Sequence, residues 1–164
     1  AAIEGAVNNA KHLGAQAGDE LVLATLNNTK SSTAATAEKA GNAQLDADIT
    51  VLTRKDGKIT SCYIDSVQAK IGFDATGTIT TDLSAGVKTK NELGEGYGMK
   101  AWGGAIAEWN EQAASFAAYV TGKTAAEVAG IAITEATKPA DADLSASVTI
   151  AIGGFQALIA KAMK

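Results

Sequence analysis

The chain has 164 residues, of which 46% are apolar and 20% are charged, and its net charge is −4. This length fits one domain, because domains most often contain ~100–150 residues, so residues 1–164 are treated as a single domain. The composition excludes a disordered, highly charged tail. Arg54 is the one arginine, and the basic surface that nucleic-acid binding requires is therefore not expected. No apolar run approaches the ~18 residues of a membrane-spanning helix.

The chain has one cysteine, Cys62, and one histidine, His12. A single cysteine cannot form an intramolecular disulfide, and a zinc site needs several Cys or His ligands. Nucleophilic catalysis with a histidine base needs that base beside the nucleophile, and the sequence around His12 offers no such arrangement. We assign neither catalytic residues nor metal ligands, and whether the protein is an enzyme stays open.

The N-terminal segment is predicted to be helical within residues 1–18. Ile3, Val7, Ala10 and Leu13 recur at helical spacing. A strand is predicted for residues 20–30, and a small, polar loop for residues 31–41.

The next strand is predicted from a strict alternation of apolar and polar residues, which is typical of a strand with one buried face. We expect the polar residues to face water and the apolar residues to face the core. The polar set is Gln44, Asp46, Asp48 and Thr50, and the apolar set is Leu45, Ala47, Ile49 and Val51.

The dipeptide Asp56-Gly57 predicts a tight hairpin, because both central residues of a type I′ turn need positive φ. We expect residues 43–54 and 58–73 to pair antiparallel across it. A turn at residues 74–77 then leads into a further strand at 78–82, which gives an antiparallel meander over residues 43–82.

The second half of the chain is predicted to be mainly helical. An apolar stripe predicts one continuous helix over residues 99–121, and a capping box at residues 124–127 opens a short helix. The stripe consists of Trp102, Ile106, Trp109, Ala113, Phe116 and Val120. A last helix is expected to carry Val148, Ile152, Phe155, Ile159 and Ala162, with its first turns irregular at Gly153-Gly154. The fold class is α+β, an antiparallel meander packed against helices on one face.

The two ends of the chain resemble each other in sequence. Residues 2–7 (AIEGAV) are similar to residues 158–163 (LIAKAM). This similarity raises the hypothesis that the chain is one unit of a tandem array or a homo-oligomer. Residues 1–14 would then pack on the same sheet face as the C-terminal helix, or on a neighbouring copy.

From about residue 56 onward the chain resembles the FMN-binding domain family of Rnf- and Nqr-type redox complexes and bacterial surface electron-transfer lipoproteins. The resemblance follows the order of features: the hairpin with its returning strand at 60–65, a glycine-containing loop at 92–98, a helix, and a short helix opened at 122–124. Residues 141–147 then correspond to the family's flavin-attachment signature. Asp141, Ala142, Ala146 and Ser147 agree with that signature, whereas Leu144 and Ser145 depart from it.

The resemblance implies a site for FMN as cofactor. Ser147 stands where the family's hydroxyl can be esterified to the FMN phosphate, and Asp141, Ser145 and Ala146 belong to the same signature. The phosphate is expected at the N-terminus of the last helix, where free amides near 146–148 favour an anion. Tyr97 and Gly96 are expected to contact the flavin ring. Because Ser145 replaces a glycine, binding is expected to be non-covalent and weak, or absent.

Two hypotheses for function follow. The first is a flavin-based electron-transfer module that meets a redox partner protein, with FMN supplying the redox chemistry. The second is a structural or ligand-binding module on the same scaffold that has lost the flavin. Residues 64–68 and 87–90 resemble a subgroup of Clostridia surface proteins, which implies an extracellular or cell-surface location, as a lipoprotein or surface repeat.

Overall fold

The structure, a computed structural model, describes residues 2–164. Three strands form one sheet in the order β1-β2-β3. They are β1 (Glu20–Asn28), β2 (Gly41–Lys55) and β3 (Lys58–Phe73), and both pairs are antiparallel. The predicted pairing of 43–54 with 58–73 is confirmed. Asp56 and Gly57 have φ of 50° and 76°, as a type I′ turn requires.

The third strand of the meander is β1, and the predicted strand at 78–82 is wrong. Residues after the turn at Asp74 make a single bridge, Phe73 to Ile79. The amide of Thr80 donates to the Gly72 carbonyl at 2.8 Å. The hydrogen bonds between these segments do not extend far enough to form a strand at 78–82.

Seven α-helices and one 3₁₀ helix are assigned within residues 2–164. They are α1 (Ala2–Asn8), α2 (Lys90–Leu93), the 3₁₀ helix (Gly94–Tyr97), α3 (Met99–Gly103), α4 (Trp109–Val120), α5 (Ala125–Ala129), α6 (Ala142–Ser145) and α7 (Gly153–Ala162). The predicted capping box is present at α5, where Thr124 and Glu127 bind each other's backbone amides. Within the described part of the chain no helix is long and apolar enough to cross a membrane.

The core lies between one face of the sheet and the two longest helices, which confirms the predicted α+β fold. α4 packs on β3, and α7 packs on β1 and β2. Phe155 of α7 contacts both aromatic rings of α4, with ring centroids 5.8 Å from Trp109 and 5.5 Å from Phe116. The strands contribute Ala24, Leu52, Cys62 and Ile64 to this core. We call this side of the sheet the helix-covered face.

The predicted continuous helix over 99–121 is wrong, because the chain breaks between α3 and α4. Gly104 has φ of 62°, and Glu108 uses its carboxylate to accept hydrogen bonds from the amides of Met99 and Lys100 at 2.9 and 3.0 Å. The apolar stripe is therefore split. Trp102 is 91% exposed, and Ile106 is 52% exposed.

The N-terminal helix is shorter than predicted, and it is not part of the core. Ile3 and Val7 of α1 are 83% and 69% exposed, so α1 does not pack on the sheet beside the C-terminal helix, contrary to the prediction for residues 1–14. Packing of α1 on a neighbouring copy stays a prediction.

Candidate functional site

The residues predicted to hold the flavin phosphate form one short turn of the chain. Asp141 caps α6, its carboxylate accepting from the amides of Asp143 and Leu144 at 3.0 and 3.1 Å. The Ser145 hydroxyl donates to the Ala142 carbonyl, and the Ser147 hydroxyl donates to the Leu144 carbonyl. The structure thus brings these residues together, with their polar groups engaged in local hydrogen bonds.

The prediction that the last helix begins near residues 146–148 is wrong. The amides of Ala146, Ser147 and Val148 donate to the carbonyls of residues 142 and 144, so they are not free to bind an anion. α7 begins only at Gly153. The segment before α7 is irregular and buries Val148, Ile150 and Ile152. The spacing of its apolar residues resembles that of a helix, which is why the sequence predicts an earlier start.

The aromatic residue expected at the flavin ring is engaged within the fold. Tyr97 is half-buried in the 3₁₀ helix, and its hydroxyl donates to Gln68 at 3.1 Å. The Lys90 ammonium lies 5.1 Å from the centre of its ring. Gly96 is exposed one residue earlier.

One cleft is lined by residues that follow, in the chain, the two regions that the resemblance singled out. It is lined by Lys138 together with residues of the glycine-rich segment after α3 and of the segment after Ser147. Its volume is about 570 Å³, and the other lining residues are Met99, Gly103, Gly104, Ala105, Ile106, Thr149, Ile150 and Ala151. It includes none of the six residues predicted to bind FMN.

The alternation in β2 has the opposite orientation to the one predicted. Thr50 is fully buried and Gln44 is 7% exposed, whereas Leu45 is 43% exposed. Thr50 shares the helix-covered face with Cys62, whose Sγ lies 3.6 Å from its hydroxyl. Within residues 44–51 the polar residues therefore lie on the helix-covered face, and the apolar residues lie on the opposite side.

Hydrogen bonds stabilise this polar end of the helix-covered face. Asp46 accepts from Gln44 at 2.7 Å, from Gln68 at 3.1 Å and from Ser31 at 3.2 Å. Burial alone would raise the pKa of Asp46, but these bonds and the charge of Lys90 hold it below its ordinary value.

Lys90 provides the positive charge of this cluster. Its Nζ lies 4.8 Å from the centre of the Trp109 ring and 5.1 Å from that of Tyr97, in cation–π geometry. Desolvation lowers the pKa of Lys90, and the charges of Asp48 and Asp46 counter this effect.

The opposite side of the sheet carries an apolar surface drawn from all three strands and interrupted by polar residues such as Thr25, Asn27 and Ser61, and we call this side the open face. Residues paired across the strands share a face, so each row of the ladder adds to this surface. Its members are Leu21 and Leu23 of β1, Leu45, Ala47, Ile49 and Val51 of β2, and Val67, Ala69 and Ile71 of β3. Leu21 and Leu23 are 69% and 61% exposed. This surface is not predicted from the sequence, although the apolar residues of β2 that belong to it are visible in the alternation over 44–51.

One charged side chain lies among these rows of the three strands, and it is buried and hydrogen-bonded within the chain. Asp65 is 7% exposed. Its carboxylate accepts from the amides of Ser66 and Asn91 at 2.7 and 3.2 Å and from the Tyr63 hydroxyl at 3.2 Å. The one carboxylate that these rows carry is therefore held by hydrogen bonds within the chain.

Reactive chemistry is sparse in the described part of the chain. Cys62 is buried, and its burial raises the pKa of the thiol to about 11, which keeps it protonated at neutral pH. Among residues 2–164 no group of three or more acidic, His or Cys side chains is arranged to hold a metal. Comparison of the chain with protein-family models, with curated proteins and with solved structures finds no match.

Proposed function

We propose that the protein is a structural module that assembles with other copies of itself through the open face of its sheet. The observation that carries this proposal is the orientation of β2, whose apolar side faces away from the core. A sheet face in contact with water normally carries polar residues, and contiguous apolar patches on a protein surface mark interaction sites.

The size of the open face supports a stable contact. The three strands have 9, 15 and 16 residues, and at ~3.3 Å per residue and ~4.8 Å between strands the whole sheet face measures roughly 600 Å² per copy. Two such faces in contact bury roughly 1,200 Å², the lower end of the range for specific protein interfaces.

Another copy of the chain is the partner that fits this surface best. An isologous contact brings the same patch of each copy together, and the one carboxylate in its strand rows, that of Asp65, is 7% exposed and hydrogen-bonded to backbone amides. The exposed Ile3 and Val7 of α1 add apolar surface outside the core. The resemblance to surface proteins supports an extracellular location for such an assembly.

Sedimentation velocity at several protein concentrations tests the proposal. We expect the wild type to associate as its concentration rises. Leu45→Lys and Ile49→Lys should weaken association by about tenfold or more, because each removes the burial of an aliphatic side chain worth ~1.5–3 kcal/mol. Asn28→Lys, which adds the same charge at an exposed position on the other side of β1, is the matched control.

A wild type that remains monomeric up to ~1 mM, a Kd corresponding to only about −4 kcal/mol, would contradict the proposal. Equal weakening by Asn28→Lys and Leu45→Lys would contradict it as well, because association would then depend on net charge and not on the open face.

We propose FMN binding as a second function, favoured by the cleft that contains Lys138. The cleft is lined by residues that follow, in the chain, the two regions that the resemblance assigns to FMN: residues 103–106 come after the loop at 92–98, and residues 149–151 come after the signature at 141–147. The Lys138 ammonium could pair with a phosphate, and Met99 and Ile106 offer apolar surface to a ring.

Titration with FMN, followed by flavin fluorescence, tests this second function. Ser145→Gly with Ser147→Thr restores part of the family signature and leaves the buried Leu144 in place. We expect this variant to bind FMN more tightly than the wild type, and Lys138→Gln to bind it less tightly. Equal, negligible quenching in all three proteins would exclude flavin binding.

A further inference from the structure

One edge of the sheet leaves its backbone unpaired along β1. β1 lies at the end of the strand order, and alternate residues of an antiparallel edge strand direct their N–H and C=O away from the sheet. The Thr25 carbonyl accepts from Lys161 Nζ at 2.8 Å, so Thr25 is one of the outward-facing residues. Leu21, Leu23 and Asn27 share its alternation and therefore direct their backbone groups the same way.

The other edge, formed by β3, is covered by the chain itself. At its start, Ile59 exchanges backbone hydrogen bonds with Gly122 and Lys123 at 2.7 and 2.9 Å. In its middle, the Asn91 side chain donates to the Ile64 carbonyl at 2.9 Å. At its end, the Gly72 carbonyl accepts from the Thr80 amide.

The β1 edge lacks this protection over the residues that the structure describes. Natural edge strands are usually guarded by charges, proline or bulges. From Leu21 to Asn28 the strand has no charged residue. On its outer side, Lys161 donates to the Thr25 carbonyl. Glu20, just before this segment, is neutralised by Arg54 through two bonds of 2.9 Å.

We propose that β1 pairs antiparallel with β1 of a second copy, so that the two sheets join into one of six strands. The segment is self-complementary. A two-fold axis near Leu23 sets Leu21 of each copy opposite Thr25 of the other. Both residues direct their N–H and C=O groups toward the facing strand, so they can exchange hydrogen bonds. Lys161 leaves the Thr25 carbonyl when the second strand docks. This contact uses the edge and not the open face, and it rests on the proposed function only in that the partner is another copy.

A proline at an outward-facing position tests the pairing. Thr25→Pro removes an N–H that points away from β2 and leaves the hydrogen bonds to β2 in place, as proline on an edge strand does. We expect this variant to associate about tenfold or more weakly than the wild type in sedimentation velocity, with an unchanged circular dichroism spectrum. Thr25→Val, which keeps the N–H, should associate as the wild type does.

Amide hydrogen exchange of the wild type provides a second test that needs no variant. At concentrations where the protein is associated, we expect the amides of Leu23 and Thr25 to exchange as slowly as those paired within the sheet. Fast exchange of these amides in the associated protein would overturn the pairing, even if Thr25→Pro fails to fold.

The outcomes separate this contact from the one on the open face. If Thr25→Pro folds and associates normally while Leu45→Lys does not, the edge pairing is wrong and the proposed function stands. If the wild type is monomeric at every concentration, both are wrong.

Discussion

Gln68 of β3 donates a hydrogen bond of 3.1 Å to the carboxylate of Asp46 on β2, and both half-buried side chains lie on the helix-covered face. The two residues are paired in the antiparallel register. Together with Gln44 and Lys90 they form a polar end to the helix-covered face. This arrangement turns the aliphatic residues of β2 outward, and the proposed assembly follows from it.

Asp46 should make stability depend on pH in the acid range. Its folded pKa is held below the ordinary value, so the unfolded chain takes up the proton first as pH falls. The contribution is present above the unfolded pKa of ~3.9 and is lost as pH falls through the folded pKa. In urea unfolding at pH 7 we expect Asp46→Asn to cost about 1 kcal/mol, with a smaller loss below pH 4.

Glu135→Gln, at an exposed loop position, is the control for this measurement. An Asp46→Asn variant with wild-type stability at pH 7 would show that the hydrogen bonds to this carboxylate contribute nothing.

Gln112 should be essential for holding the segment before α7. Its Oε1 accepts from the amides of Thr149 and Ile150 at 2.7 and 3.2 Å, and its Nε2 donates to the Ala107 carbonyl at 2.8 Å. The side chain is fully buried. Gln112→Leu leaves these groups without partners, and each costs ~1–3 kcal/mol when buried.

We therefore expect urea unfolding to show a loss of at least ~2 kcal/mol for Gln112→Leu. Ala118→Leu introduces the same residue at an exposed position of α4 and should change stability by less than ~0.5 kcal/mol. Similar effects of the two substitutions would show that this hydrogen-bond cluster does not stabilise the fold.

The two parts of the split apolar stripe should respond differently to truncation. Phe116 is fully buried, and Trp102 is 91% exposed. Phe116→Ala should cost ~3–5 kcal/mol, the range for large aromatic residues in cores, whereas Trp102→Ala should cost less than ~0.5 kcal/mol. Thermal unfolding of both variants measures this difference. Comparable costs would mean that Trp102 belongs to the core, as the sequence alone suggested.

The sequence predicted the parts of the fold that local rules determine. The hairpin at Asp56-Gly57 and the capping box at Thr124 need only residues close in the chain. The break after Gly104 was missed because Glu108 reaches back nine residues to the Met99 amide, a tertiary contact that helical spacing does not reveal.

The orientation of β2 could not be predicted because alternation identifies two faces but not which one is buried. Asp46 and Thr50 would normally be assigned to water. They are accommodated beneath the helices because Gln68 and the Tyr63 carbonyl bond to them, and these partners come from a different strand. The flavin site depends on the three-dimensional arrangement of its residues, which their spacing in the sequence does not determine.

Dilution of isotopically labelled protein, followed by amide chemical shifts in NMR spectra, tests the central claim most directly. The account predicts concentration-dependent shifts at the strand residues that carry the open face, centred on Leu45, Ile49 and Val67, with the amides of α4 and α7 unaffected. Shifts that do not change with concentration, or changes confined to α4 and α7, would contradict it.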